Sequence, residues 1–255
     1  MVKLVCYNIE YCEGMEGLWY QYLKFWKILF PPKKLDEKII NELKELDLDI
    51  LSLVEVDTGS FRSKKDEAKF FGKKLNMPHV IEKVKYPLEG WLRLFHYIPI
   101  LRKQANAIAT KYKVSNIKYH TFHEGTKRMI IETTIHCPKK VTLLLAHLAL
   151  GKKTRALQIK ELTNIVKSIK NPVILMGDFN TFNGIEELNQ LMKETHLKDK
   201  IQLDKYSIQL TEPTWHPTRR LDYVLVSKEI KVNKYKVLNY PFSDHMPLFV
   251  DFKVH

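Results

Sequence analysis

The distribution of apolar positions along the chain predicts many short buried strands and a smaller number of amphipathic helices. Apolar runs typical of strands occupy residues 3–9, 49–54, 104–110, 128–137, 141–147, 173–176, 221–227, 231–239 and 247–254. Apolar residues at helical spacing predict helices over 35–46, 64–75, 154–169 and 185–193. Residues 78–120 are predicted to hold further strands and loops around the run at 104–110.

The order of these elements indicates the fold class. Strands outnumber helices, and helices occur in both halves of the chain. Such an order favours an α/β protein built as a four-layer α/β/β/α sandwich, in which two mixed sheets pack face to face with helices outside. No linker, low-complexity stretch or short repeat interrupts the 255 residues. We therefore expect one domain over residues 1–255.

An aromatic segment at residues 14–34 has two interpretations. Its apolar positions at 18, 19, 22, 23, 26, 29 and 30 fall on one face of a helix. A helix packed on the core explains this spacing. The alternative is an exposed aromatic surface that contacts lipid or unstacked bases.

The stretch at 173–183, VILMGDFNTFN, is a buried strand that continues directly into a polar loop. Gly177 allows the backbone to turn or to approach another group closely. Asp178 and Asn180 then emerge at the C-terminal edge of a core strand, where open α/β sheets bind ligands. Taken alone, the same residues are equally compatible with a strand followed by an Asx turn.

Polar residues of types that bind metal or move protons lie at strand ends in six places. They are Asn8, Glu55, His147, Asp178 with Asn180, Asp222, and Asp244 with His245. A single glutamate after a strand is usually a solvated turn residue, and a single histidine is more often structural than catalytic. Six occurrences together indicate an active site.

Two of these residues are suited to a metal ion. Asn8 and Glu55 offer the oxygen ligands that a hard cation such as Mg²⁺ prefers. Such an ion neutralises a phosphate and stabilises a leaving oxyanion.

The remaining strand-end residues are suited to proton transfer and phosphate binding. Asp222 and His245 are candidates for a pair in which the carboxylate orients the imidazole as a general base that deprotonates water. His147 is a candidate to hold or protonate the phosphate from the other side. Asp178 and Asn180 are candidates to position the nucleophile and bind phosphate oxygens.

The composition restricts the classes of binding partner and the cellular setting. The net charge of +13 favours nucleic acid, anionic lipid surfaces or phosphorylated small molecules, although lysine enrichment can also be generic. Three scattered cysteines do not form a disulfide framework, and no Cys/His spacing resembles a zinc site. The N-terminus lacks the apolar block of a signal peptide, and no apolar run is long enough to cross a bilayer. A reducing, cytoplasmic setting is the expectation.

The ordered motifs resemble the endonuclease/exonuclease/phosphatase superfamily over positions 8 to 248. The matching elements are Asn8, LVEVD at 53–57, AHL at 146–148, GDFN at 177–180, LDY at 221–223 and SDH at 243–245. The resemblance implies the four-layer fold and Mg²⁺- or Mn²⁺-dependent cleavage of a phosphate ester.

The same resemblance implies a role for each matching residue. Glu55 is the principal metal ligand, helped by Asn8 and Asp244, and His245 is the general base oriented by Asp222. Asp178 and Asn180 orient water and phosphate, and His147 is the second catalytic histidine.

The motifs do not assign the chain to one subgroup of the superfamily. His147 followed by Leu148 resembles the histidine motif shared by enzymes similar to pancreatic deoxyribonuclease, by neutral sphingomyelinases and by inositol-phosphate phosphatases. The runs EVDTGSFRS at 55–63 and WHPTRRLD at 215–222 resemble a prokaryotic phosphodiesterase branch without a fixed substrate. The usual Gly-Asn-Ala-Ile is replaced by ANAI at 105–108.

Three functional hypotheses remain open. The first is a metal-dependent phosphodiesterase acting on nucleic acid, with Arg128 and Arg219 as candidates for phosphate contact or as ordinary surface charge. The second is the same chemistry on a phospholipid or small phosphodiester, which implies a lipid or membrane surface as partner. The third is an inactive phosphate-binding scaffold, which the occupied catalytic positions disfavour. No obligate protein partner is predicted.

Overall fold

The computed structural model describes residues 1–14, 32, 34–63, 65–86, 97–126, 129–201 and 209–255. Its strands are β1 (Val2–Asn8), β2 (Ile50–Asp57), β3 (His79–Val84), β4 (Gln104–Thr110), β5 (Val114–Thr121), β6 (Met129–His136), β7 (Lys140–His147), β8 (Val173–Asp178), β9 (Lys198–Asp199), β10 (Asp222–Val226), β11 (Ile230–Val237) and β12 (Leu248–Val254). Its α-helices are α1 (Leu35–Lys44), α2 (Glu67–Lys74), α3 (Lys152–Lys167) and α4 (Asn189–Thr195). Short 3₁₀ turns cover Glu10–Cys12, Leu101–Lys103 and Ile185–Leu188.

The strands form two sheets of six strands each, in the orders β11-β12-β1-β2-β4-β3 and β5-β6-β7-β8-β10-β9. Alternate residues of one strand face different layers. In β1, Leu4 and Cys6 belong to a cluster that also contains Leu143 and Met176 of the other sheet, so this cluster fills the space between the sheets. The predicted packing of the two sheets is confirmed.

The outer faces of the sheets are covered by helices. Val5 of β1 clusters with Leu43 of α1 and Phe71 of α2. On the other sheet, Leu175 of β8 clusters with Leu162 of α3. Helices α1, α2 and α3 each bury one face, as the helical spacing predicted, and α4 buries Leu191. The molecule has the expected α/β/β/α layers.

Two predicted elements differ in detail. Strand β2 does not end before Glu55 but continues to Asp57, with a register shift against β4 between Leu53 and Val56. A β-bulge of this kind re-aims the bulged side chains without ending the strand. The helix expected over 185–193 begins as a 3₁₀ turn and becomes α-helical only at Asn189.

Strand pairing brings the predicted polar strand ends together. Parallel pairing of β1 with β2 sets Asn8 opposite Val54, and parallel pairing of β7 with β8 sets His147 opposite Asp178. Antiparallel pairing of β10 with β8 sets Asp222 opposite Asp178. Both sheets therefore present their functional ends at the same edge of the sandwich.

Gly177 is required for this arrangement. Its φ is 138°, and a Cβ atom there would overlap the backbone carbonyl of Ala146 on β7. The close approach expected from the sequence is confirmed, because only a residue without a side chain fits between Met176 and Asp178.

Most of the aromatic segment at 14–34 lies outside the described residues, as does Arg128. The hypotheses about both therefore stay predictions. Within the part of the chain that the structure describes, no helix has the length and apolar content needed to cross a membrane.

Candidate active site

Asp178 is the centre of the candidate site. Its Oδ2 accepts a hydrogen bond from Asn8 Nδ2 at 3.1 Å, which links the two sheets. The same oxygen lies 3.2 Å from His147 Nε2 and 3.9 Å from His245 Nε2. All four side chains are buried. The structure thus joins residues that are separated by as many as 237 positions in the chain around one carboxylate oxygen.

His245 and Asp222 form a hydrogen-bonded pair. His245 Nδ1 lies 2.7 Å from Asp222 Oδ2, so Nε2 is the ring nitrogen directed towards Asp178. Burial alone would lower the pKa of His245, but Asp222, Asp244 and Asp178 outweigh it and raise that pKa well above its ordinary value. The carboxylate orients the imidazole, as the sequence predicted for a base and its partner.

Glu55 occupies an unusual backbone conformation at the bulge of β2. Its φ is 61°, a left-handed value that costs energy for a residue with a side chain. The Glu55 N–H donates to Asn106 Oδ1 at 3.2 Å, which helps to hold this conformation. The side chain is directed towards His147, with 3.8 Å between Oε1 and Nδ1.

A buried lysine contacts Glu55. Lys85 Nζ, from the residue that follows β3, donates to Glu55 Oε1 at 2.9 Å and to Tyr11 Oη at 2.7 Å. No signal in the sequence marks Lys85, because the chain is rich in lysine and this one follows an ordinary strand pattern. It is a functional candidate that only the structure identifies.

Carboxylates converge beside Glu55. Burial and then the neighbouring Asp244, Glu13 and Glu55 raise the pKa of Glu10 well above its ordinary value. Burial raises the pKa of Asp244 to about 6, and Glu55 adds to that rise. Among the described residues, Glu10 Oε2 is buried and has no hydrogen-bond partner. A cluster of mutually repelling oxygens with an unsatisfied carboxylate suits a hard divalent cation.

Glu10 was also missed from the sequence. It lies two residues after Asn8, and that spacing was the available signal because alternate residues of an extended chain share a side. The turn that carries it is strained, with left-handed φ values of 45°, 51° and 54° at Glu10, Tyr11 and Cys12. Three consecutive residues of this kind indicate a conformation imposed by tertiary contacts.

Arg62 supplies such a contact. Its buried guanidinium lies 2.6 Å from Glu13 Oε1 and 3.1 Å from Asp57 Oδ2. Asp57 also accepts a hydrogen bond from Ser60 Oγ at 2.5 Å. Arg62 therefore ties the turn after β1, which carries Glu10, to the end of β2, which carries Glu55.

Asn180 is held on the other side of the site. Its backbone φ is 51°, and its N–H donates to Asp178 Oδ1 at 3.0 Å. Its side-chain nitrogen donates to the Leu148 carbonyl at 2.9 Å, which ties it to the loop after His147. The buried Arg155 braces the same loop by donating to the carbonyls of Ala149 and Leu150 at 3.1 and 2.6 Å.

The structure separates the arginines near the motifs by role. Arg155 is buried and paired with Glu187 at 2.8 Å, and Arg220 is paired with Asp199 at 2.5 Å, so both are structural. Arg219 is half exposed and lies 3.0 Å from Glu212. Of the two arginines predicted to contact substrate, Arg219 is the one that lies in the described part of the chain.

Within the described residues, one group has three potential ligand atoms within 4.8 Å of one another: Asp178, Asp222 and His245. Its histidine is already hydrogen-bonded to Asp222. The residues predicted from the sequence as metal ligands lie beside this group: Asn8 donates to Asp178, Glu55 lies 3.8 Å from His147, and Asp244 directly precedes His245. The two sets form adjacent parts of one site.

A family model described as "Endonuclease/Exonuclease/phosphatase family" matches residues 7–245 of the chain. No curated protein sequence matches it. Three solved structures have the same fold over nearly all of the chain.

A functionally unknown conserved protein from Enterococcus faecalis V583 matches with a TM-score of 0.74 and 16% identity over 100% of both chains. Truncated Caenorhabditis elegans TDP2 matches with a TM-score of 0.67 and 19% identity over 98% of this chain and 97% of that one. The Bacteroides thetaiotaomicron mannosyl-6-phosphatase Bt3783 matches with a TM-score of 0.66 and 15% identity over 99% of this chain and 100% of that one. At these identities, the likenesses show the fold alone.

Proposed function

Because the chain belongs to the endonuclease/exonuclease/phosphatase family, we propose that it is a divalent-metal-dependent phosphodiesterase of the nuclease type. The observation that carries the proposal is the buried Asp222–His245 pair, whose free ring edge is directed at Asp178, 3.9 Å away. A histidine oriented in this way is suited to remove a proton from water at a phosphate held beside Asp178.

The oxygen ligands beside this pair fit Mg²⁺ or Mn²⁺. Glu55, Asn8 and Asp244 would hold the cation, and Glu10 joins them because its buried Oε2 lacks a hydrogen-bond partner among the described residues. When bound, such an ion neutralises phosphate charge and stabilises the leaving oxygen. Lys85, which contacts Glu55 at 2.9 Å, orients that carboxylate.

The other buried residues position the reactants. His245 Nε2 accepts the proton of the attacking water, and Asp222 stabilises the resulting imidazolium through Nδ1. Asp178 orients that water, and its contacts with Asn8 and His147 keep its Oδ2 in place. His147 and Asn180 bind the phosphate oxygens beside Asp178.

A nucleic-acid substrate is favoured by charge. The net charge of +13 gives a salt-sensitive attraction to polyphosphate chains, and the half-exposed Arg219 lies at the rim of the site. Nucleic acid is therefore the proposed partner.

A substrate panel under controlled metal tests the function. Duplex, single-stranded and abasic DNA, RNA, sphingomyelin vesicles and bis-p-nitrophenyl phosphate are incubated with Mg²⁺, Mn²⁺ or EDTA. We expect cleavage of a nucleic acid that EDTA abolishes and that His245→Ala removes. His136→Ala is the matched control, because His136 is exposed and lies at the turn between β6 and β7, away from the site.

Cleavage that persists in EDTA would refute metal dependence. Turnover of the lipid with no cleavage of any nucleic acid would replace the nuclease assignment. If the protein cleaves none of the substrates, the result would favour a phosphate-binding scaffold.

A further inference from the structure

Arg219 stands at the base of a hairpin at the rim of the candidate site. Its backbone N–H donates to the Glu212 carbonyl at 2.9 Å, and its own carbonyl accepts from Thr211 N–H at 2.7 Å. The hairpin is joined to the catalytic loop, because Thr214 N–H donates to the Asp244 carbonyl at 3.0 Å. The backbone at Arg219 is therefore fixed relative to Asp244 and His245.

The guanidinium of Arg219 is held on two sides. Nε lies 3.0 Å from Glu212 Oε2, and the central carbon lies 5.3 Å from the centroid of the Phe182 ring. Both contacts leave the edge that carries the two terminal nitrogens without a hydrogen bond to any residue in the described ranges. The Arg219 side chain is 46% exposed. A planar fork restrained in this way is suited to a phosphate.

The cleft beside Arg219 adjoins the catalytic residues. Its volume is about 330 Å³, and its walls include Thr181, Phe182, Leu210, Arg219 and Tyr223. Thr181 directly follows Asn180, and Tyr223 directly follows Asp222. Because successive residues of a strand face opposite sides, Tyr223 points to the helix-covered side of the sheet, and the cleft lies on that side of the strand ends that carry Asn180 and Asp222.

Glu212 connects Arg219 electrostatically to the centre. Burial raises the pKa of Glu212, Arg219 and His245 lower it, and Asp178 and Asp222 raise it. The Glu212 carboxylate is therefore close enough to Arg219 and to the catalytic groups for the charges of both to act on its pKa. Arg219 is paired with Glu212 rather than with a catalytic group, so it is suited to the phosphate beside the reacting one.

We propose that Arg219 binds the phosphate adjacent to the scissile one, so that the site selects substrates carrying two phosphate groups on one chain. This inference rests on the proposed phosphodiesterase function and deepens it. It names an oligonucleotide as the preferred substrate over a lone phosphodiester. Arg155 and Arg220 are buried in ion pairs, so neither takes this role.

The test compares dinucleotides that differ by one phosphate. Rates with Mn²⁺ are measured for TpT, pTpT and TpTp, so that a flanking phosphate on either side is sampled. A wild-type preference in kcat/KM of about tenfold for one phosphorylated form is expected, the size of one charge-assisted contact. In Arg219→Met the ratio of kcat/KM between the phosphorylated and the plain dinucleotide should approach one. Phe182→Leu should also lower this ratio, because it frees the guanidinium.

Lys253→Met is the matched charge control. Lys253 is exposed on β12 at the sheet edge opposite the site, where it pairs with Lys231. It should keep the wild-type ratio. The inference is wrong if wild type has no preference, if Arg219→Met keeps it, or if Lys253→Met loses it as well.

A binding measurement separates this inference from the proposed function. Affinities of the same dinucleotides are measured in EDTA, where no turnover is expected, for wild type, Arg219→Met and Lys253→Met. A preference for the flanking phosphate that only Arg219→Met removes supports the subsite even if no substrate is cleaved. Cleavage without any such preference in either assay leaves the function standing and overturns the subsite.

Discussion

Replacing Arg62 with Met should destabilise the protein and weaken cation binding at the same time. The guanidinium donates to Glu13 Oε1 at 2.6 Å, and its Nε and Nη2 lie 3.3 and 3.1 Å from Asp57 Oδ2. Methionine fills similar space but leaves both carboxylates without their cation. Removing one partner of a buried ion pair costs about 3–5 kcal/mol in the free energy of unfolding.

The loss of stability caused by Arg62→Met should grow with pH. In the wild type, burial raises the pKa of Glu13 to about 7, and Arg62 is the strongest influence that opposes this rise. Without Arg62 the folded-state pKa of Glu13 rises further above its unfolded value near 4.5. A folded state that retains a proton which the unfolded state has lost becomes less stable as pH rises, by up to about 1.4 kcal/mol per unit. The additional loss therefore falls above pH 7.

The effect on cation binding follows from the position of Arg62. It holds the strained turn of Glu10 against the loop that follows Glu55, so its loss allows both segments to relax. Calorimetry with Mn²⁺ should show affinity at least about tenfold weaker, the scale reported when groups supporting metal ligands are removed.

Urea denaturation at pH 6 and pH 8.5, with calorimetry on the same samples, tests the prediction. Arg220→Met is the control, because it breaks a comparable ion pair with Asp199 on β9 of the other sheet. It should lose stability and keep its affinity for Mn²⁺. A loss of less than about 1 kcal/mol in Arg62→Met would show that the ion pairs contribute little. Unchanged cation affinity in a folded Arg62→Met would refute the positioning role.

Three further predictions follow from the site. His245→Ala should lower turnover by about two to four decades, or about 3–5 kcal/mol of barrier, with an unchanged circular dichroism spectrum; retention of half the activity would exclude it as the base. Glu55→Gln should weaken Mg²⁺ binding in calorimetry, since a neutral amide is a poorer ligand for a hard cation, and equal affinity would contradict the ligand assignment. Glu67→Gln should stabilise the protein at pH 8.5, because burial raises the pKa of Glu67 to about 8 while the amide oxygen keeps the bond from Asp57 N–H. Stability measured across pH should show that gain shrinking towards pH 4.5, and a gain that is constant with pH would refute its electrostatic origin.

The order and type of most elements could be predicted because they depend on short-range periodicity. Strand β4 spans Gln104–Thr110, the predicted range, since apart from Asn106 its interior is apolar between polar ends and the strand is fully buried. The catalytic candidates were recognisable for a related reason. Asp178 and His147 each follow such a run, and a polar residue at that position marks a strand end wherever the strand lies in the sheet.

The boundaries that depend on pairing were less accurate. Strand β2 continues through Glu55 because β4 pairs with it on both sides of a bulge, and no local pattern encodes a bulge. The same holds for the left-handed turn at Glu10, where the sequence contains neither glycine nor asparagine to suggest positive φ. Tertiary contacts impose these conformations against local preference.

The sequence by itself therefore determined the layers of the fold and the set of residues that could do chemistry, because both follow from side-chain type and from periods of two and 3.6 residues. Only the tertiary structure decided which of them meet. Asp178 is at the centre because β8 lies between β7 and β10 and faces β1, and Lys85 and Arg62 join the site through contacts that span 30 and 49 residues. Contacts of this range depend on sheet order and on packing between layers, which no local pattern records.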